Sequence, residues 1–290
     1  MILIDPPTLA HLQSWQGRSD TLHDDISAVP LRGWMATIDR PLSDVQRGTE
    51  VPPLGHWLYF LPTHAQSELG PDGHALRGGF LPPVPLPRRM WAGGRLSWLK
   101  PLKVGDAVQR RSRIASVKHK AGRSGDLIFV EVEHEVHSQA GLCLTEVHDI
   151  VYRPAPQPSD PVIAPVAAPS QAAWQRTVVP DAVLLFRYSA LTFNGHRIHY
   201  DRQYASAVEG YPGLVVHGPL MATLLLDLLR SHTDRVVKRF SFKAVRPIFE
   251  CQDQRRMRLN AQMRIDGKHC RLWTQDHDDW LTMQADAELA

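Results

Sequence analysis

Between Tyr188 and Asp201 the chain reads Tyr-Ser-Ala-Leu-Thr-Phe-Asn-Gly-His-Arg-Ile-His-Tyr-Asp, placing an amide, two imidazoles and a carboxylate in one short polar segment. A histidine in such company can act as a general base or acid near neutral pH, and an amide can hold a water although it cannot take its proton. Asn194 and His199 are the candidate catalytic pair, with His196 and Tyr188 as supporting residues. Asp201 either orients a histidine or caps a helix. A little further on, His217-Gly218-Pro219 opens an apolar run. A helix starting there would aim free N–H groups and a positive dipole end at a developing negative charge. Gly218 is the candidate oxyanion donor, since a residue without a side chain lets a ligand approach its N–H, and His217 stands beside it. Pro219 suits the first helical position because it has no N–H to lose. Arg88 and Arg89 follow a proline-rich loop, and Arg197 lies beside the proposed base. All three could receive a phosphate or carboxylate, or simply face solvent.

Other chemistry is missing. There is no Gly-rich phosphate loop, no Gly-x-Ser-x-Gly elbow and no His-Glu-x-x-His helix. His134-Glu-Val-His137 is one residue too short for that zinc pattern, and on a strand its histidines face opposite sides. No metal site is expected, and His134 is read as a core residue.

These groups need a scaffold. The run Pro219–Arg230 is apolar on nearly every side, which in a helix of this length means burial. Strand-like runs follow at Arg235–Val245, Arg256–Ile265 and His269–Gln275, with Asp266-Gly267 turning between the last two. In the first half, Gly105-Asp106 and Gly122–Gly125 punctuate three expected strands. One of them, Ile128–Val136, alternates valine and isoleucine with glutamate and buries His134. A further strand is expected at Cys143–Tyr152. Thr8–His23 has loose helical spacing, Leu31–Ile38 and Ala182–Tyr188 read as strands, Leu54–Ala65 as a helix after Pro52-Pro53, and Gly70–Pro87 as an ordered loop. One apolar helix gripped by an antiparallel sheet is the hot-dog architecture, and each half offers one. The expected class is α+β, a double hot-dog fold. The proline- and alanine-dominated stretch Arg153–Pro169 reads as a linker, so the expected domains are 1–153 and 174–290, joined by 154–173.

The chain has 290 residues, 43% hydrophobic and 22% charged, the make-up of a folded protein rather than a disordered one. Lys and Arg outnumber Asp and Glu by 33 to 30, too few to point to nucleic acid. The three cysteines, Cys143, Cys251 and Cys270, are too sparse for a disulfide framework and read as small core residues, which fits a cytoplasmic protein. No secretory signal or membrane span is apparent.

The segment Thr192–Asp201 resembles the signature of the MaoC-like, or (R)-specific, enoyl-CoA hydratases, Ser-Gly-Asp-x-Asn-Pro-Leu-His-x-Asp. In that alignment the catalytic His falls on His199 and the catalytic Asp on Asn194. The wording Asn-x-His-x-Ile-His-Tyr-Asp, with Tyr211-Pro-Gly-Leu-Val-Val-His-Gly-Pro219, is closer to a two-domain branch. That branch holds mesaconyl-C4-CoA and itaconyl-CoA hydratases and the mitochondrial hydroxyacyl-thioester dehydratase. Gly55-His-Trp-Leu-Tyr-Phe60 and Gly79–Gly94 resemble its N-terminal domain, so the likeness covers roughly Gly48–Tyr152 and Asp181–Thr274. It implies reversible hydration of an enoyl-CoA thioester, with itaconyl-CoA or mesaconyl-CoA as the first choice of substrate. His199 would be the base, Asn194 would hold the water, and the N-terminal half would complete the tunnel. Coenzyme A would come as part of the substrate, with no other cofactor, no nucleic acid and no membrane partner. A homodimer of double hot-dog chains is compatible with this. A dehydratase acting on acyl carrier protein, a thioesterase and a non-catalytic acyl-CoA-binding protein remain as competitors.

Overall fold

The computed structural model describes residues 4–41, 45–122, 125–155, 157, 164–250 and 256–290. The N-terminal half contains α1 (Pro6–Gln13), β1 (Ser19–Asp25), α2 (Ala28–Thr37), a 3-10 turn Gly55–Leu58, β2 (Arg88–Trp98), β3 (Ala107–Gly122), β4 (Gly125–Ser138) and β5 (Gly141–Arg153). The C-terminal half contains β6 (Trp174–Val178), α3 (Ala182–Leu191), α4 (Arg202–Ala207), α5 (Gly218–Arg230), β7 (Val237–Ala244), β8 (Met257–Met263), β9 (His269–Gln275) and β10 (Leu281–Leu289).

All ten strands form one antiparallel sheet in the order β1-β3-β4-β5-β2-β7-β10-β9-β8-β6. Each half supplies five neighbouring strands, and the halves join where β2 pairs with β7, Gly94 opposite Phe242 and Leu96 opposite Phe240. Gly94 is required at this seam, because a Cβ there would stand 2.8 Å from the Phe242 ring.

The helix α5 is buried along Leu220–Leu229, as its leucine-rich sequence dictates. One continuous core joins its leucines to Phe240 and Leu272 on the sheet and to Leu31, Trp34 and Leu58 of the first half. Its one buried charge, Asp227, is paired twice, by Arg40 at 2.7 Å and Arg176 at 2.6 Å. A groove on the solvent face of the sheet, lined by Arg95, Glu131, Asp149 and Lys243, carries none of the histidines.

Several expectations need correction. Leu31–Ile38 and Ala182–Tyr188 lie in helices α2 and α3, not strands. Leu31, Trp34 and Ile38 recur at helical spacing and are buried, and Asp181 caps α3 by accepting from the Leu184 N–H. Short apolar runs do not reveal their period reliably. Gly33 lets the two helices meet, since a Cβ there would press on Leu191. Leu54–Ala65 forms only the 3-10 turn, with Leu54 and Phe60 at positive φ on either side. Thr8–His23 divides into the end of α1 and most of β1. The strands β1, β6 and β10 were not anticipated.

Of the linker, the described part is tied down: Val166 O accepts from Leu281 N–H and Ala168 N–H donates to Asp279 O. Cys143 and Cys270 are buried free thiols; Cys251 lies outside the described residues, as do Arg123 and Ser124 of the expected turn.

Candidate active site

The end of α3 sets the position of Asn194. Phe193 N–H bonds Ala190 O and Asn194 N–H bonds Ser189 O, the paired bonds of a Schellman motif. Phe193 adopts φ 49°, a left-handed position that glycine fills at lower cost. Asn194 Oδ1 then accepts from the His196 N–H at 3.0 Å, so its Nδ2 is left to donate elsewhere. One 3-10 turn, Arg197–His199, carries the chain inward to bury Ile198 and His199.

His199 Nδ1 lies 2.7 Å from Val215 O. A carbonyl can only accept, so Nδ1 carries the proton and Nε2 presents a lone pair. Burial pushes its pKa down to about 4, partly offset by the Val215 bond and reinforced by His74. The imidazole is therefore neutral near pH 7. His217 stacks on His199 with ring centroids 3.7 Å apart. Its Nε2 meets Ser189 Oγ at 2.9 Å, while its Nδ1 is buried without a partner. Burial, with His199 and His196 nearby, holds His217 well below its ordinary range. Tyr188 packs edge-on against His217, and burial raises its hydroxyl pKa.

His217 is the N-cap of α5, which makes Gly218 the first helical residue and Pro219 the second, one position later than expected. A Cβ built on Gly218 would make an ordinary contact with the Trp91 carbonyl at 3.8 Å. The Gly218 N–H, in the first turn, has no intrahelical acceptor.

The N-terminal half brings residues that were overlooked. Asp72 Oδ2 holds His74 Nδ1 at 2.9 Å, and the His74 ring lies 4.0 Å from that of His196, which in turn meets His199 edge-on. Burial raises the Asp72 carboxyl, but hydrogen bonds and the charge of His74 outweigh it and hold the group below the usual range. Burial, then His74 and His199, push His196 down to about 2. The loop docks backbone to backbone: Gly73 has φ 86°, and a Cβ on it would overlap Gly195 O. Asp72 O also accepts from Arg197 N–H. The only sequence signal for this pair was Asp72-Gly73-His74 inside a Gly- and Pro-rich loop. Asp72, His74 and His196 present donor atoms within 4.8 Å of one another, a spacing that could hold a metal ion.

The arginines separate. Arg197 is committed to Asp201 at 2.7 Å and to Pro71 O, and lies over Tyr204. It is a strut for the loop, and its guanidinium is not left for an acyl group. Asp201 caps α4 through Tyr204 N–H. Arg88 is occupied by Glu209 at 2.8 Å and stacks on Tyr211. Arg89 pairs with no carboxylate among the described residues; it stands opposite Tyr152 on the neighbouring strand and sits close enough to His74 and His196 to disfavour their protonation.

Residues 54–250 match the family described as hydroxyacyl-thioester dehydratase type 2. The chain is 46% identical over 283 residues to a mesaconyl-C(4)-CoA hydratase of Chloroflexus aurantiacus, covering 97% of this chain and 98% of that one. Among solved structures, a MaoC-like dehydratase from Phytophthora capsici superposes with a TM-score of 0.67 at 12% identity, covering 97% of each chain. A double hot-dog protein of Mycobacterium tuberculosis gives 0.57 at 14% identity, over 95% of this chain and 96% of that one. The expected double hot-dog fold is thus borne out, as is the resemblance read from the Thr192–Asp201 motif. By the length of the match and the motif it contains, the chain belongs to the hydroxyacyl-thioester dehydratase type 2 family.

Proposed function

We propose that the protein is a hydro-lyase that reversibly hydrates a short, branched dicarboxylic enoyl-CoA, with mesaconyl-C4-CoA as the first candidate and itaconyl-CoA as the second. The observation that carries the chemistry is the fixed tautomer of His199, whose Nδ1 is tied to Val215 O and whose Nε2 is free to accept a proton. The substrate preference is supported by the Chloroflexus relative.

In the forward direction the Asn194 amide N–H donates to a water oxygen and leaves the water proton for His199 Nε2. The oxygen adds to the β carbon as negative charge moves to the thioester carbonyl. The Gly218 N–H, at the positive end of α5, stabilises that charge. An imidazolium with so low a pKa is a strong acid, so His199 returns the proton to the α carbon on the same face, giving syn addition. Asp72 and His74 hold His196, whose N–H in turn fixes the Asn194 carbonyl. Arg89 supports the phosphate-bearing end of coenzyme A. Coenzyme A arrives with the substrate, and no further cofactor enters the scheme.

The test is the loss of enoyl-thioester absorbance on mixing with mesaconyl-C4-, itaconyl- and crotonyl-CoA. His199→Ala should lower kcat by about 10²- to 10⁴-fold, the usual worth of a general base, and Asn194→Ala should slow the reaction less. Wild-type protein that binds all three without consuming any would overturn the hydratase reading.

A further inference from the structure

A second polar cluster lies in the N-terminal half, on the core-facing side of the sheet. Ser112, His134 and Glu146 are direct cross-strand neighbours on β3, β4 and β5. Two residues along, His148 shares the face of Glu146, and Arg110 shares that of Ser112. The 3-10 turn Gly55–Leu58 closes over them: His56 Nε2 and Trp57 Nε1 each stand 2.9 Å from a different oxygen of Glu146. Ser112 Oγ meets His134 Nδ1 at 2.8 Å. His148 Nε2 comes within 2.8 Å of Glu146 without hydrogen-bond alignment.

His148 Nε2 is held against Glu146, but the Nε2 of His134, a residue 7% exposed, is buried without a hydrogen-bond partner, as is Arg110 Nε. Buried polar atoms are nearly always paired, so two open nitrogens in one cluster need an explanation. Oxygen acceptors brought in by a ligand would satisfy them together. Trp91 joins the cluster to the catalytic side: its ring stacks on His148 at 3.9 Å, and its carbonyl fronts Gly218. Trp57, Trp91 and His148 are half-buried rather than sealed. Along β2, Arg89 pairs with Tyr152 and Gly94 with His148, with Trp91 between them. The cluster and Arg89 therefore lie on opposite sides of Trp91, as the acyl and coenzyme ends of one thioester would.

We infer that the Arg110, His134 and His148 cluster is the receptor for the distal carboxylate of a dicarboxylic acyl group whose thioester carbonyl sits at Gly218. This rests on the hydratase reading and adds what selects its substrate. Glu146 already places one carboxylate there, and the Arg110 guanidinium beside it supplies the positive charge that a second requires.

Binding of two unreactive thioesters, succinyl-CoA and butyryl-CoA, tests it by calorimetry. Wild type should favour succinyl-CoA by at least about 10-fold. In Arg110→Met and His148→Gln the preference should fall to within about 3-fold, with butyryl-CoA affinity unchanged, which also shows that the variants fold. A preference that survives both substitutions, or equal loss of both ligands, overturns the receptor. If the preference disappears as expected but wild type hydrates no enoyl-CoA, the receptor stands and the hydratase reading fails.

Discussion

His199 shows how one side chain becomes a base without a carboxylate beside it. Its proton is placed by a backbone carbonyl, and burial keeps the ring neutral. Asn194 owes its position to a strained neighbour. Phe193 holds a left-handed conformation while its side chain is largely exposed, so little packing repays the backbone cost. Phe193→Gly should therefore stabilise the protein by about 1 kcal/mol, a rise of roughly 2–4 °C in Tm for a chain of this size. An unchanged or lower Tm in a thermal melt would show that the phenyl ring contributes more than its exposure suggests.

Two elements must hold still for the site to form. The 70–76 loop reaches the motif only because two glycines meet, Gly73 against Gly195 O. Gly73→Ala should push this loop away and disconnect Asp72 and His74 from His196. Steady-state assays should then show kcat reduced by at least about 10-fold, the cost of losing positioning, with global stability little changed. The other element is α5, whose C-terminal turn is clamped by Arg40 and Arg176 on Asp227. Asp227→Ala leaves two cations without their partner beside a buried helix, and chemical denaturation should show a loss of about 3–5 kcal/mol. Retention of wild-type stability would mean that both arginines turn to solvent at no cost.

At the scale of the whole molecule, the buried histidines predict acid sensitivity. His74, His196, His199, His134 and His217 all have native pKa values below the ordinary 6.5. Above pH 6.5 each is neutral both folded and unfolded, so none makes stability depend on pH. As the pH falls from 6.5 towards 4 the unfolded chain binds protons that the native one refuses, and stability drops. His199 alone, at about 4, accounts for on the order of 3 kcal/mol across that window. Tm measured from pH 7.5 to 4.5 should fall steadily below 6.5, and less steeply in His199→Gln. A flat profile would show that these histidines are as easily protonated in the native protein as in the unfolded one.

Local chemistry and periodicity were enough for much of this protein. The Thr192–Asp201 motif, the buried helix after Gly218 and the alternating strand around His134 were legible because their residue types and spacing act over a few neighbours. The motif also carried the family. Short apolar runs such as Leu31–Ile38 and Ala182–Tyr188 were not legible, since their helical state depends on what they pack against. The sequence likewise offered Arg88, Arg89 and Arg197 as equals. Only the tertiary structure gave two of them acidic partners and left Arg89 without one among the described residues. It alone joined Asp72 and His74 to a histidine more than a hundred residues away, and aligned Ser112, His134 and Glu146 across three strands. Such groupings are set by sheet register and by the docking of distant loops, which no local pattern encodes.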